Sequence, residues 1–147
     1  MPRAGKHSAR ILCGTWSSDN RLALGSADRT LTISDADGNT IEQTEIKYEP
    51  LDIHFTAQKS GGGSGGEGKS GEEGGAESTI SINMGGKTIL LYDLNDPENP
   101  IELAFQSRYG SIVAYRWFGD GYMMIGFSAP VASKSVALRK SKFPRFF

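Results

Sequence analysis

Three observations predict an all-β chain assembled from blades of a β-propeller. Short apolar runs alternate with polar residues, turn signals separate the runs, and one pattern returns after about 40 residues once a glycine tract is set aside. Four strands in meander order make one blade. The chain accommodates about two four-stranded blades plus part of a third. A propeller needs typically four to eight blades, so the 147 residues read as a fragment of a longer protein.

The first blade is the most legible. Ile11 to Trp16 forms one strand, turned at Ser18-Asp19-Asn20. Leu22, Leu24, Leu31 and Ile33 are apolar at alternate positions of two further strands. The turn between them falls at Ala27-Asp28-Arg29. Asp37-Gly38 is a two-residue hairpin signal, with both turn positions favouring positive φ. It leads into a fourth strand, Thr40 to Ile46. Tyr48-Glu49-Pro50 closes the blade.

Leu51, Ile53 and Phe55 open a second blade, and the composition then breaks. From Gly61 to Gly75, nine of fifteen residues are glycine and none is apolar. Nothing there offsets the entropy of ordering, so the stretch reads as a flexible insertion. Beyond it, Thr79 to Met84 and Thr88 to Leu94 continue the blade, and Ile101, Leu103 and Phe105 form its outer strand. Asp35 and Asp93 are 58 residues apart. Removing an insertion of about 18 residues leaves about 40, the blade period. Ser111 to Phe118 and Tyr122 to Ser128 begin a third blade. The expected division is therefore 1–58 for the first blade and the start of the next, 59–78 for the insertion, 79–128 for the remaining blade segments, and 129–147 for a tail. The tail carries five Lys or Arg and no acid. It reads as a truncated or non-native end rather than an RNA- or membrane-binding element.

Gly5-Lys6-His7 before the first strand supplies half of the WD-repeat signature, and Ser34-Asp35 and Tyr92-Asp93 stand in degenerate form where Trp-Asp closes such a repeat. In that repeat, the histidine bonds a Ser of the second strand and an Asp of the following turn. The matching residues are His7, Ser26 and Asp28, expected as a structural staple rather than a catalytic relay. Trp16 and Trp117 occupy equivalent first-strand positions and are expected as core aromatics. His54 is expected as a solvated or satisfied side chain.

Composition excludes several function classes. A net charge of −1 argues against nucleic acid as the main partner. No apolar run approaches the roughly 18 residues of a membrane helix, so no direct membrane insertion is expected. Cys13 is the lone cysteine. This excludes an internal disulfide and, with no signal peptide, suggests a reducing, intracellular setting. Cys13 lies in a strand with no adjacent histidine, so it is not expected as a nucleophile. Gly63 to Ser70, GSGGEGKS, satisfies the phosphate-loop pattern, and Ile89 to Asp93 imitates the strand that ends in a magnesium-binding Asp. Chemistry argues against both. No helix-forming sequence follows Lys69, helical glycine costs about 1 kcal/mol relative to alanine, and Glu67, Glu72 and Glu73 repel an anion. Asp93, Asp96 and Glu98 lack calcium-loop spacing. No catalytic, cofactor or metal site is expected, and the protein is not expected to be an enzyme.

Three segments carry a resemblance: GKHSARILCGTWSSDNRLALGSADRTLTISDADGNTIEQTEI, ESTISINMGGKTILLYDLNDPENPIELAFQ and YGSIVAYRWFGDGYMMIGFS. Together they resemble the WD-repeat subunits of intraflagellar transport complex A. The resemblance covers Gly5 to Ser128 apart from the glycine insertion. NDPENP at Asn95 to Pro100 and the run Trp117 to Gly121 followed by Met124 to Ser128 are its most specific parts. It implies a non-enzymatic scaffold that supports retrograde ciliary transport, cilium assembly and ciliary membrane-cargo entry. It also implies other WD- and helical-repeat subunits of that complex as partners. The implied location is the cilium or flagellum and its base (the basal body), on the cytoplasmic side. The alternative is a WD40 interaction adaptor in another assembly, a vesicle coat or a ubiquitin ligase. Because the glycine tract holds nothing apolar to bury, deleting Gly61 to Gly75 is expected to leave the melting temperature of the full-length protein nearly unchanged. A large drop in a thermal melt would contradict this.

Overall fold

In the computed structural model, the described residues are 7–56, 77–118 and 122–129, together with the backbone of 133–137 and 145–146. They form three antiparallel sheets of four strands each, and each sheet follows chain order. The first contains β1 (Ile11–Trp16), β2 (Leu22–Ser26), β3 (Thr30–Ser34) and β4 (Thr40–Glu45). The second contains β5 (Pro50–Thr56), β6 (Thr79–Met84), β7 (Thr88–Asp93) and β8 (Ile101–Ala104). The third contains β9 (Ile112–Phe118), β10 (Tyr122–Phe127), β11 (Ser133–Ala137) and β12 (Arg145–Phe146).

The third sheet corrects the tail reading. β11 pairs with β10, and β12 pairs with β11, so part of 129–147 belongs to a blade and that blade has four strands. The sequence hid this because Ser133–Ala137 offers only Val136 and Ala137 as apolar residues among lysine and serine. The phosphate-loop mimic at 63–70, including Lys69, lies outside the described residues. The insertion's expected end at residue 78 shifts, because Glu77 and Ser78 are bonded into the fold. Ser78 accepts from Leu94 N–H at 2.8 Å. Thr56 and Thr79 face each other in the β5–β6 register, so the strands flanking the insertion are paired where it leaves and re-enters.

The Asp37-Gly38 expectation is corrected in detail. Gly38 has φ +84°, but Asp37 does not share the left-handed region. The β3–β4 connection is instead a wider loop closed by Asp35. Its backbone N–H donates to the Asn39 carbonyl, and its carboxylate accepts from Asp37 N–H and Asn39 N–H. An Asx arrangement of this kind replaces the tight mirror-image turn.

Two apolar cores fill the spaces between sheets. Ala23, Leu31, Ile33 and Ile46 of the first sheet region meet Ile53, Phe55, Ile80, Ile82, Met84, Leu90 and Tyr92 of the second. Ile89, Leu91 and Leu103, on the other face of the second sheet, meet Ile112, Tyr115, Met123, Ile125 and Phe127. β6 therefore has every residue buried. Ile80, Ile82 and Met84 face the first sheet, while Thr79, Ser81 and Asn83 face the third, as a period of two requires. The first two sheets approach closely at Gly25, where an added Cβ would lie 2.7 Å from Pro50 Cγ and 2.9 Å from Cys13 Sγ. Ile82 is fully buried, so Ile82→Ala is expected to destabilise the protein by about 2–5 kcal/mol. Exposed Ile41→Ala should change stability by less than about 0.5 kcal/mol. Equilibrium urea unfolding of the two variants checks the contrast.

Candidate functional site

The polar side chains that sequence reasoning singled out lie at the edges and interfaces of the blades. His7 and Asp28 meet, with Nδ1 3.3 Å from Oδ2. Ser26 is not a ligand of His7. Its hydroxyl lies 3.1 and 3.0 Å from the carbonyls of Ala9 and Arg10 and accepts from Asp28 N–H at 3.3 Å. The other ring nitrogen of His7 instead meets Thr32 Oγ at 2.9 Å. Sequence reasoning missed Thr32. Its signal was an otherwise unexplained polar residue between Leu31 and Ile33, fully buried in the structure.

Asp28 gathers this end of the first sheet. Its carboxylate accepts from Ser8 N–H and Thr30 N–H, each at 2.9 Å. Burial alone would raise its carboxyl pKa. The N–H groups of Ser8 and Thr30, the Ser26 hydroxyl and His7 outweigh burial and hold it at about 2, below the ordinary 3.8.

The two tryptophans part company. Trp117 lies opposite Met123, on the face turned toward the second sheet, and donates from Nε1 to Ser81 Oγ at 2.8 Å. Trp16 lies opposite Leu22, in the equivalent position on the first sheet, and is 63% exposed. This corrects its expected place in the core. Its neighbour pair Thr15 and Ala23 faces the second sheet, so Trp16 points the other way. No described sheet precedes the first to cover it.

A second polar group ties the second sheet to the third. Tyr115 donates its hydroxyl hydrogen to the Ser81 carbonyl at 2.8 Å, and the Ser81 hydroxyl lies 3.2 Å from the His54 carbonyl. Asn83 donates to the Ile112 carbonyl at 3.3 Å and accepts from Gly86 N–H at 3.1 Å. Ile112 N–H in turn donates to the Gly86 carbonyl at 2.7 Å. Between the first and second sheets, Ser18 N–H donates to the Glu77 carboxylate at 2.6 Å, Arg21 donates to the Glu77 carbonyl at 2.7 Å, and Lys47 pairs with Glu102 at 3.0 Å.

His54 Nε2 stands 3.1 Å from Asp52 Oδ2, beside Arg116, with its ring edge-on to Tyr115. Burial, reinforced by the charge of Asp52, pushes the Cys13 thiol up to about 11, so it stays protonated and a poor nucleophile. Burial likewise raises the Tyr115 phenol. Burial, then Glu42, pushes Tyr92 up to about 12. Asp93 accepts from Asn95 N–H and Asp96 from the Asn99 amide. Among the described residues no group of three His, Cys, Asp or Glu is arranged to hold a metal ion, and no helix is long and apolar enough to cross a membrane.

Three four-stranded meanders with interlocked faces, one of them closed by a His–Asp pair, define a WD-repeat β-propeller protein. Comparison with known proteins narrows this. The family described as the WDR19 first beta-propeller matches residues 1–132, and the chain belongs to that family. It is 47% identical over 130 residues to WD repeat-containing protein 19 of Mus musculus, covering 87% of this chain and 9% of that protein. The human protein of the same name is 43% identical over 128 residues, with 87% and 9% covered. WD repeat-containing protein dyf-2 of Caenorhabditis elegans is 32% identical over 123 residues, with 84% and 8% covered. The chain thus spans less than a tenth of the length of these relatives. A solved chain from "Crystal Structure of Mitotic Checkpoint Complex" shares the fold, with a TM-score of 0.66 at 14% identity over 96% of this chain and 39% of that one.

The depressed Asp28 carboxyl stabilises the folded state while ionised. That contribution is present above the ordinary carboxyl pKa of 3.8 and is lost as pH falls through about 2. Asp28→Asn is expected to destabilise the protein by about 1–3 kcal/mol at neutral pH. The difference should vanish near pH 2, as read from urea midpoints across the acid range.

Proposed function

We propose that the chain is part of a non-enzymatic scaffold, one wall of a propeller in a WD-repeat subunit of intraflagellar transport complex A. The match to the WDR19 first beta-propeller over 1–132 carries this reading. The polar geometry supports it, because the buried side chains of Thr32, Ser81 and Asn83 are used to lock strand to strand and sheet to sheet. Such a wall offers turns and rims for other proteins to bind. In the full-length protein, further blades flank these three and cover Trp16. The work of the whole subunit is retrograde ciliary transport, cilium assembly and entry of membrane cargo, at the cilium and its base on the cytoplasmic side. Its partners are the other WD- and helical-repeat subunits of the complex.

Affinity purification of the tagged full-length protein from ciliated cells, with mass spectrometry of the co-purifying proteins, tests this. The expected outcome is recovery of the other WD- and helical-repeat transport subunits in comparable amounts. Recovery of vesicle-coat or ubiquitin-ligase subunits in their place would keep the propeller and overturn the ciliary assignment.

A further inference from the structure

Successive connections of an antiparallel meander alternate between the two ends of the strands. At one end lie the lead-in to β1 and the connections β2–β3, β4–β5, β6–β7 and β8–β9. Hydrogen bonds join these into one continuous rim: Ala27 N–H to Arg10, Ile46 N–H to Arg29, Gly85 N–H to Glu49, and Ile112 N–H to Gly86, each donating to a backbone carbonyl. Among the described residues, the charged groups of this rim are Arg10, Arg29, Lys47, Lys87 and Arg108, against Asp28, Glu49 and, at the end of β4, Glu45, and Lys47 is paired with Glu102. Asp28 already has its charge engaged by Ser8, Thr30 and His7.

The opposite end is the reverse. Its connections carry Asp19, Asp35, Asp37, Glu77, Asp96 and Glu98, with Arg21 as the cation among the described residues. Among the described residues, the charges of the connections are therefore sorted by strand end, cationic on one rim and anionic on the other.

The cationic rim is also shaped. Lys87 Nζ lies 4.8 Å from the centre of the Tyr48 ring, and the Arg108 guanidinium lies 5.0 Å from that of Tyr109. Each ring holds a cation in place without neutralising it. Among the described residues, Arg10, Arg29, Lys87 and Arg108 have no acidic partner within ion-pair distance, and all four are exposed. We propose that this rim docks an acidic polypeptide segment, whose carboxylates meet Arg29, Lys87 and Arg108 along the arc while its chain rests on Tyr48. A polypeptide fits better than a phosphate-dense polyanion. The cations are few, spaced one per connection and interrupted by Glu49, which suits separated carboxylates.

The test uses the full-length protein and a fluorescein-labelled oligoglutamate peptide, read by fluorescence anisotropy. Saturable binding is expected, weakened by about tenfold or more in the double variant Lys87→Glu, Arg108→Glu and lost as salt rises. The opposite-rim variant Asp37→Lys, Glu98→Lys should bind at least as well as the parent. If circular dichroism shows that the double reversal is unfolded, Lys87→Gln with Arg108→Gln is read instead, with a smaller but measurable weakening expected. Three results would overturn the proposal. They are no saturable binding, unchanged affinity in the folded rim variant, or rim-dependent sedimentation with phosphatidylserine vesicles in the absence of peptide binding. Failure here would leave the transport assignment standing, because that rests on co-purification.

Discussion

Each of these sheets needs a neighbour on both of its faces, and most of the rest follows from that need. The second sheet has both neighbours. Ile80, Ile82 and Met84 press on the first sheet while Ser81 and Asn83 reach into the third. A four-stranded ribbon covered on one side alone would leave an apolar face in water, at roughly 25 cal/mol per Å². That is why β6 reads apolar at every second position and is nevertheless buried throughout. The same constraint explains the contrast between Trp117, half-buried against the second sheet, and Trp16, bare on the first.

Apolar packing alone would let neighbouring blades slide, since dispersion and burial have little direction. The polar residues between the sheets supply the direction. Ser81 receives the indole N–H of Trp117 while its backbone carbonyl receives Tyr115, and Asn83 bridges the Ile112 carbonyl and Gly86. A buried donor or acceptor left unmatched costs about 1–3 kcal/mol, so these few bonds penalise any other register. The first sheet uses the same device within itself. His7 lies across Thr32 and Asp28 on the face where the second sheet presents apolar Leu90 and Tyr92 instead.

The same contacts set the ionisation of several side chains: Cys13, Tyr92 and Tyr115 are pushed toward their neutral forms, Asp28 is held as a carboxylate by the donors that close its turn, and Asp19 is held as one by Ser17 and Arg21. What remains available to other molecules is the surface, above all the two rims of connections.

Composition and period were enough to predict the all-β blades, because alternation and turn residues are local properties. Leu22, Leu24, Leu31 and Ile33 announce their strands wherever the chain goes, and the pairing of His7 with Asp28 was legible because a repeat signature carries it. The partners of Ser26, the role of Thr32, the exposure of Trp16 and the strand at Ser133–Ala137 were not legible. Each depends on what lies across a sheet or between two sheets. Ser26 and Thr32 are both small polar residues in apolar strands, and only the path of the segment before β1 decides which of them His7 reaches. Trp16 and Trp117 have the same local setting, and only the presence of a preceding sheet separates them. Local sequence thus determined which residues would be strands and which turns. Burial and hydrogen-bond partners were decided by tertiary packing, because they are relations between segments distant in sequence, and alternation along one strand does not record them.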